Sequence, residues 1–397
     1  MSPKDNKKSR LTGTDLMHAD DALHGPEVAP SVSVTTTFRA PPPWSADAFK
    51  LDELDAWNPK RHIYSRYTQN VSSRAEKVLS KINEGFAVTY ASGLAAAFAA
   101  LVHLHPKRIA ITGGYHGCHH TIEVYKRSRG GDLPIIDLED EYQPGDVCWL
   151  ETPLNPTGEA RDIKYYADKV HAVGGRLLID STFAPPPLQY PFKWGADIIM
   201  HSGTKYFGGH SDLLCGVLVV KTQEEWTQLI ESRTFLGSMM GSLEAWLLLR
   251  SLRTLHLRVP RQSKTATALA QWLNKVAKGE ELDIPTGIIE KVWHSSLQGV
   301  DARGFDPRIQ MEGGFNATFA IQLKSPDHAT LLPHCLKYFV PATSLGGVES
   351  LIEQRAQSDP GADPRIVRLS IGVEDVEDLK NDLKQAFKEV VKPRAKL

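Results

Sequence analysis

The chain has 397 residues, of which 41% are hydrophobic and 23% are charged, proportions that are ordinary for a globular enzyme with a large core. Its formal net charge is −1, so no global field attracts nucleic acid or an anionic membrane. No apolar run approaches the roughly 20 residues of a membrane-spanning helix. We therefore expect neither nucleic acid nor a membrane as a partner.

Residues 1–62 are predicted to form an irregular N-terminal arm that wraps a neighbouring subunit. The polar, basic start MSPKDNKKSR lacks the apolar centre of a secretory signal. The proline run in RAPPPWSADAF opposes both a helix and a central strand. Four widely spaced cysteines, mostly with apolar neighbours, favour reduced thiols over a disulfide framework, so a cytoplasmic location is expected.

Residues 63–255 alternate between short apolar runs and stretches of helical period. The apolar runs are FAVTY, RIAIT, DVCWLE, RLLID, ADIIM and CGVLVV. The helical stretches between them include GLAAAFAALVHL, HHTIEVYKRS and DIKYYADKVHAV. Strands that are apolar throughout are covered on both faces, so this alternation predicts a mostly parallel α/β sheet. Ligands of such sheets bind beyond the carboxyl ends of the strands.

The rest of the chain, residues 256–397, is predicted to be a smaller α+β domain. A long helical pattern, SLEAWLLLRSLRTLHLRVPRQSKTATALAQWLNKVA, leads into it and is predicted to break near Pro260. Strand patterns follow at ATFAIQL and RIVRLSI, and helical patterns at HATLLPHCLKYF and VEDLKNDLKQAFKEVV.

Two polar residues follow two of the buried strands. Asp180 ends the run RLLID, and Lys205 lies in a Gly-rich turn just past the next run, which ends near His201. A lysine in such a turn can neutralise a phosphate or form a Schiff base, although an isolated Lys-Tyr pair is more often a surface lysine. The spacing of a phosphate-binding P-loop is absent.

The carboxylate of Asp180 helps to choose between these possible roles of Lys205. A buried carboxylate is costly unless a cation lies beside it. Pyridoxal 5′-phosphate (PLP) supplies one, because its ring nitrogen is protonated next to a carboxylate and the protonated ring then acts as an electron sink. Asp180 and Lys205 therefore suit the two ends of one PLP ring.

The phosphate of such a cofactor needs hydroxyl and backbone N–H donors. ASGLAAAFAA predicts a strand-to-helix turn with Ser92 and Gly93 at the helix start, which is an anion site by dipole and free N–H groups. Many helices begin with Ser-Gly as an ordinary cap, so this motif alone is weak. Ser202 and Thr204 add hydroxyl donors from the lysine turn.

Taken together, the motifs resemble the cystathionine γ-synthase/β-lyase family, the PLP-dependent enzymes of Cys and Met metabolism. The segments that carry the resemblance are YSR, YASGLAA, ETPLNPTG, LLIDSTFAPPPLQYPFKWGADIIMHSGTKYFGGHSD, SLGGVESL and VRLSIGVED. The resemblance runs from about residue 30 to the C-terminus. It implies a fold-type I, aminotransferase-like architecture with a seven-stranded sheet, and a homotetramer built from dimers that share active sites.

The resemblance also implies roles for individual residues. Lys205 would form the Schiff base, Asp180 would bind the pyridine nitrogen, and Tyr115 would stack on the ring and act as acid or base. The other implied cofactor-binding residues are Ser92, Gly93, Leu94, Asn155, Thr182, Ser202 and Thr204, with Tyr64 and Arg66 lent by the neighbouring subunit. Substrate binding is implied for Arg368, Ser344 and Asn155.

Several segments depart from the family's pattern. YTQNVSSR follows YSR and is one residue longer than usual, without the proline. GGYHGCHH replaces the usual Tyr-Gly-Gly-Thr run, and Thr343 stands where γ-acting members commonly carry Glu. QRAQSDPGADPRI replaces the usual Ser/Thr-His segment after SLGGVESLIE. The departures concern the substrate side, while the cofactor motifs are intact.

The run HGCHH invites a metal interpretation. Zinc sites favour separated ligands, because consecutive residues rarely point to one ion. We interpret the run instead as polar residues at a helix start that line the substrate cleft, and expect no metal.

The expected substrate is a small amino acid, and the expected reaction is γ-replacement on an O-acyl-L-homoserine, with cysteine or another nucleophile as acceptor. SLGGVESLI resembles γ-synthases more than the aromatic-containing version common in β-lyases. The alternatives are a cystathionine β-lyase or γ-lyase and, in another class, a non-catalytic paralogue that keeps the fold.

Overall fold

The computed structural model describes residues 11–45, 48 and 55–392. The basic tail, part of the proline-rich stretch and the last five residues lie outside these ranges. The helices are α1 Gly13–His18, α2 Asn70–Ile82, α3 Gly93–Leu104, α4 His116–Ser128, α5 Ile163–His171, α6 Gln223–Leu236, α7 Ser242–Leu252, α8 Leu255–Ala277, α9 Pro307–Gln310, α10 Pro326–Cys335 and α11 Val376–Val390.

The strands form two sheets. The larger sheet contains β1 Phe86–Tyr90, β2 Arg108–Ala110, β3 Ile135–Ile136, β4 Asp146–Glu151, β5 Arg176–Asp180, β6 Ile198–Ser202 and β7 Gly216–Val220. The smaller sheet contains β8 Ile289–Trp293, β9 Thr318–Leu323, β10 Val340–Pro341, β11 Leu351–Gln354 and β12 Ile366–Ser370.

The larger sheet has the strand order β1-β7-β6-β5-β4-β2-β3. Strand β7 is antiparallel to both of its neighbours, and the remaining pairs are parallel. Every residue of β4 and of β7 is buried, as expected for strands covered on both faces. The predicted α/β fold with a mostly parallel seven-stranded sheet and a smaller α+β part is therefore confirmed.

Parallel pairing brings the carboxyl ends of the strands to one edge. Glu151 at the end of β4 pairs in register with Asp180 at the end of β5, and Asp180 pairs with Met200, two residues before the end of β6. Helices α3 and α4 begin at this edge, soon after β1 and β2 end. The edge thus collects strand ends and helix starts from five separate segments.

The N-terminal arm contains regular structure that the sequence analysis did not predict. Residues Gly13–His18 form α1, whose cap Thr12 accepts a hydrogen bond from the Asp15 N–H at 3.1 Å. The buried Asp20 then accepts from Arg74 at 2.7 Å and from Arg253 at 2.8 Å. These ion pairs tie the segment to α2 and to the end of α7, so the prediction of an irregular arm is wrong for this helix.

The break in the long helical pattern also differs from the prediction. Helix α7 ends at Leu252 and α8 begins at Leu255, while Pro260 lies inside α8. Pro260 is the sixth residue of α8, so its missing N–H removes one intrahelical hydrogen bond, and the helix nevertheless runs on to Ala277. The chain therefore turns at Arg253–Thr254 and continues through the proline.

The second sheet has the order β10-β11-β12-β9-β8 and is antiparallel except for the pair β10–β11. Strands β9 and β12 match the predicted runs, whereas β8, β10 and β11 have short or mixed patterns and were not predicted. The boundaries after residues 62 and 255 stay predictions. Within the described ranges, no helix is long and apolar enough to cross a bilayer.

Candidate active site

A cavity of about 490 Å³ opens at the carboxyl edge of the larger sheet. Twelve of the fourteen residues predicted for the site line it, namely Ser92, Gly93, Leu94, Tyr115, Asn155, Asp180, Thr182, Ser202, Thr204, Lys205, Ser344 and Arg368. Tyr64 and Arg66 do not. The roles of these residues remain predictions, but the cavity brings together groups from both sheets and from seven separate stretches of the sequence.

Lys205 lies in the turn after β6 and points its amine at a hydroxyl. Its Nζ donates to Ser344 Oγ at 2.9 Å, and no described carboxylate lies within ion-pair distance of it. Burial, and then the positive charge of Arg368, lower the pKa of Lys205 to about 8, while Glu353 opposes this shift. A nucleophilic amine needs its neutral form, which this environment favours near neutral pH.

The SLGG loop packs directly on the lysine turn. A Cβ on Gly346 would lie 2.8 Å from the Tyr206 backbone nitrogen, and its φ is +79°, so glycine is required on both counts. Ser344 itself has a φ of +101°, a strained conformation for a residue with a side chain. This geometry presents the Ser344 hydroxyl to the lysine amine.

Asp180 is buried at the tip of β5 and is held by its neighbour. Its Oδ1 accepts from the Thr182 hydroxyl at 2.6 Å and from the Thr182 N–H at 3.0 Å. The same hydroxyl accepts from the Ser202 N–H at 2.8 Å, which links the ends of β5 and β6. Burial raises the pKa of Asp180, and the two bonds from Thr182 oppose that rise.

A second buried carboxylate, which the sequence analysis missed, lies beside Asp180. Glu151 Oε1 accepts from the Asn155 N–H and Oε2 from the Tyr115 N–H, both at 2.7 Å. Burial, and then the charge of Asp180, raise the pKa of Glu151. Glu151 thereby fixes the backbone under Tyr115, and its raised pKa favours the protonated carboxyl in the protein alone.

The start of α3, which forms part of the cavity wall, is suited to bind an anion. Ser92 caps α3 and accepts from the Ala95 N–H at 3.1 Å. A Cβ on Gly93 would lie 2.9 Å from Ser202 Oγ, so the helix start and the end of β6 approach closely only because residue 93 is glycine. The free N–H groups of this helix start and the Ser202 hydroxyl meet in one place, as phosphate binding requires.

Arg368, on β12, reaches this cavity from the second sheet. Its Nη1 donates to Asn155 Oδ1 at 3.1 Å, and its Nη2 donates to the Ser344 carbonyl at 3.1 Å and to Glu353 Oε2 at 2.6 Å. Burial lowers the pKa of Arg368 to about 10, and Glu353 opposes that shift. The guanidinium is cationic at neutral pH and suits a carboxylate ligand.

Tyr115 and the HGCHH run form the start of α4. The Tyr115 side chain is 40% exposed, and its ring centroid lies 4.9 Å from that of His116, which also lines the cavity. Burial raises the pKa of Tyr115, and the charges of Arg368 and Arg355 oppose that rise. Among the described residues, no group of three or more His, Cys, Asp or Glu side chains is arranged to hold a metal ion.

Tyr64 and Arg66 lie elsewhere on the same chain. Arg66 Nη1 donates to the Thr234 carbonyl at 3.1 Å, and its guanidinium lies 5.5 Å from the Tyr64 ring centroid. Residue 64 forms an isolated bridge with Thr37. The pair is thus not brought to the lysine cavity of its own subunit.

The residues that line the cavity fit PLP. Asp180 has no basic partner among the described residues and its burial disfavours the charged form, so a protonated ring nitrogen beside it would stabilise the carboxylate. The lysine amine has no carboxylate partner within ion-pair distance, and an anion site lies at the start of α3. These three features match the ring nitrogen, the aldehyde and the phosphate of the cofactor.

Further cavity residues escaped the sequence analysis. Arg355 and Ser358 come from the turn after β11, inside the segment recognised only as departing from the family's pattern, and Glu353 of β11 comes just before that segment. Arg355 and Ser358 line the cavity. The sequence contained one signal for these residues, the unusual charged segment QRAQSDPGADPRI. A segment that replaces a family motif beside the site is a candidate for residues that contact a different substrate.

Comparison with known proteins gives the family. The family model described as Cys/Met metabolism PLP-dependent enzyme matches residues 14–388. A cystathionine gamma-lyase from Dictyostelium discoideum is 31% identical and covers 94% of this chain and 97% of its own length. A cystathionine beta-lyase from Coxiella burnetii is 31% identical over 98% and 100%, and a cystathionine gamma-synthase from Mycobacterium bovis is 32% identical over 82% and 86%.

A comparison with solved structures supports the same family. The crystal structure of an apo methionine gamma lyase from Micromonospora echinospora superimposes with a TM-score of 0.81 at 28% sequence identity, covering 95% of this chain and 99% of its own. With the match over nearly the whole chain and a cavity that fits the cofactor, the protein belongs to the family of PLP-dependent enzymes of Cys and Met metabolism.

Proposed function

We propose that the enzyme catalyses γ-replacement on an O-acyl-L-homoserine, with cysteine or another nucleophile as the acceptor. The observation that carries this proposal is the environment of Lys205, a buried amine with a lowered pKa that is hydrogen-bonded, within the described part of the chain, to a hydroxyl. A γ-reaction removes protons from Cα and then from Cβ, so one mobile base must serve both carbons. A lysine released from Ser344 meets that requirement.

Other residues of the cavity complete the reaction. PLP, when bound, withdraws electrons from the substrate and so makes its Cα and Cβ protons acidic. Arg368 holds the α-carboxylate and so fixes which proton faces Lys205. Tyr115 lies within the same cavity and assists as acid or base at the leaving group or nucleophile. Ser344 and Asn155 keep Arg368 oriented.

A second candidate is a cystathionine lyase, acting at the β- or the γ-carbon. Two of the relatives named above are lyases of these kinds, and the same set of residues suits proton removal from Cα. The sequence SLGGVESLI favours the synthase, and Thr343, which lines the cavity in place of a glutamate, is compatible with acceptors other than cysteine.

A product assay separates the candidates. The enzyme is given O-acetyl- or O-succinyl-L-homoserine with cysteine, and separately cystathionine alone. Cystathionine formed in the first mixture supports γ-replacement. Pyruvate, homocysteine and ammonia from the second mixture, without reaction in the first, would establish a β-lyase. 2-Oxobutanoate and cysteine from the second mixture would establish a γ-lyase.

We further propose a cytoplasmic homo-oligomer, a dimer of dimers, in which Tyr64 and Arg66 complete the neighbour's site. All four cysteines are free thiols, which suits a reducing compartment. A hollow of about 910 Å³ adjoins the lysine cavity and shares Thr204 and Ser344 with it. Leu214 lines both and is 61% exposed. A hollow that is lined by both apolar and acidic side chains and opens onto a site is suited to receive the arm of a second copy.

A further inference from the structure

Two guanidinium groups flank one buried carboxylate in the wall of the cavity. Glu353 Oε2 accepts from Arg368 Nη2 at 2.6 Å, and Oε1 accepts from Arg355 Nη1 at 3.0 Å. All three side chains are about 5% exposed, and both arginines line the cavity. One carboxylate between two cations leaves a positive charge uncompensated, since the further carboxylate near Arg355, Asp359, is 3.9 Å away and partly exposed.

Arg355 has hydrogen-bonding capacity that the protein does not use. Its Nη1 donates to Glu353 and, at 3.0 Å, to Ser358 Oγ. Its Nε is shielded from solvent and has no hydrogen-bond partner among the described residues. Its Nη2 makes no hydrogen bond with the described residues and is not shielded in this way, and an anion in the cavity that Arg355 lines is the ligand that best satisfies a guanidinium.

A continuous set of contacts connects Arg355 to the reacting end of the cavity. The Lys205 amine contacts the Ser344 hydroxyl, the Ser344 carbonyl contacts Arg368, and Arg368 shares Glu353 with Arg355. Arg368 is next to the lysine, whereas Arg355 lies beyond Glu353. A substrate whose α-carboxylate is on Arg368 therefore has a second cation available to a group further along its length.

We propose that Arg355 is a specificity residue that recognises a distal carboxylate on the substrate's γ-substituent. The preferred substrates are then amino acids with an acidic group at both ends. The inference rests on one part of the proposed function, namely that Arg368 binds the α-carboxylate of the substrate. It holds equally for a replacement and for an elimination reaction. The alternative is that Arg355 serves only as a counter-ion for Glu353.

Equilibrium binding of two unreactive amino acids of equal length tests this. L-2-Aminopimelate has a distal carboxylate, L-2-aminoheptanoate ends in a methyl group, and neither has a group that can leave from the γ-carbon. We expect calorimetric titration of the holoenzyme to show about tenfold to 100-fold tighter binding of the dicarboxylate, the range for a hydrogen bond to a charged group. Equal affinities in the wild-type enzyme would overturn the proposal without any variant.

Variants assign the discrimination to this residue. Arg355→Gln should reduce the affinity ratio to near one. Arg355→Lys should keep part of the ratio, because the positive charge remains but the planar guanidinium with its paired N–H donors is lost. Arg365→Gln, which removes a surface arginine paired with Asp363 and Glu290, should leave the ratio unchanged. If Arg355→Gln weakens both ligands by the same factor, the counter-ion role is correct and the proposal fails.

Steady-state kinetics provide a second measurement. With a substrate pair in which one member has a distal carboxylate, such as O-succinyl- and O-acetyl-L-homoserine, Arg355→Gln should lower kcat/KM for the acidic member by a larger factor than for the other member, mainly through KM. An equal fall in kcat/KM for both members would contradict a specificity role. Because the binding ratio is measured without turnover, failure of the proposed reaction and failure of this inference give different results.

Discussion

At the scale of single residues, the site depends on charges that are buried without their usual partners. Lys205 has a hydroxyl where a lysine normally finds a carboxylate or water. Asp180 has a threonine where a buried carboxylate normally finds a cation. Each group is costly in the protein alone and, in the proposed site, would be satisfied by one end of the same cofactor. Substitutions at these two positions therefore separate cofactor attachment from cofactor activation.

Replacing Lys205 with alanine should abolish covalent attachment of PLP. We expect kcat to fall by on the order of 10³-fold or more, because the covalent catalyst and the mobile base are lost together. Borohydride reduction of the wild-type enzyme and peptide mapping should place the pyridoxyl label on residue 205. A label on any other lysine would refute the assignment.

The lowered pKa of Lys205, about 8, predicts how attachment depends on pH. The amine attacks the cofactor only when neutral, so the attachment rate in the apoenzyme should rise with pH and reach half its maximum near pH 8. An ordinary lysine would reach it near pH ~10.4. Arg368→Gln removes a charge that lowers this pKa and should move the midpoint upward. Borohydride trapping across pH measures both, and a midpoint near 10 in the wild type would contradict the prediction.

Asp180→Asn should keep the fold and the covalent cofactor but lose activity. A neutral amide does not hold the ring proton, so kcat should fall by on the order of 10²-fold or more, as when one preorganised charge contact is removed. The matched control is Asp146→Asn, which alters a buried carboxylate at the opposite end of β4 that pairs with Arg108. That control should lower the stability and leave kcat almost unchanged. Near-normal turnover in Asp180→Asn would reject the role.

At the scale of elements, the site is made by the close approach of a helix start to a strand end. Helix α3 begins against the end of β6, and a Cβ on Gly93 would contact Ser202. On the other side, a Cβ on Gly216 of β7 would lie 2.1 Å from the Ser92 carbonyl. Glycine at both positions sets the position of the anion site relative to the sheet.

Gly93→Ala should weaken PLP binding while leaving the fold intact. Displacing the start of α3 against Ser202 costs about 1–3 kcal/mol for overpacking, which corresponds to roughly tenfold or more in the dissociation constant. Titration of the apoenzyme with PLP measures it. Gly299→Ala, at a position with nothing within 4 Å of the added Cβ, is the control and should bind PLP normally. An unchanged affinity in Gly93→Ala would show that the helix start does not hold the phosphate.

At the scale of the whole molecule, we propose that a second copy of the chain completes the site. Tyr64 and Arg66 lie outside the lysine cavity, and a large hollow with the exposed Leu214 opens next to it. Residues that the family resemblance assigns to the phosphate are thus available to a second copy rather than to their own subunit. The proposed shared site can be tested by complementation.

Mixing two inactive proteins, Lys205→Ala and Arg66→Ala, should restore activity. If Arg66 serves the neighbour's site, each hybrid dimer has one site free of both changes, so random assortment should recover about a quarter of the wild-type activity. Lys205→Ala mixed with Asp180→Asn is the control, because both changes lie in the cavity of their own chain and hybrids keep two damaged sites. Absence of recovery in demonstrably mixed oligomers would contradict the shared site.

The elements with local patterns could be predicted from the amino-acid sequence. Helix α3 and strands β4 and β5 follow from apolar runs, caps and glycines within a few residues, and so do Asp180 and Lys205 at strand ends. The folded chain was needed to show that Glu151 lies against Asp180, that Arg355 and Arg368 share Glu353, and that Tyr64 lies outside the cavity. Those relations depend on sheet order, register and side-chain direction. A local pattern reports on neighbours a few positions apart, whereas these contacts join residues that are distant in the chain.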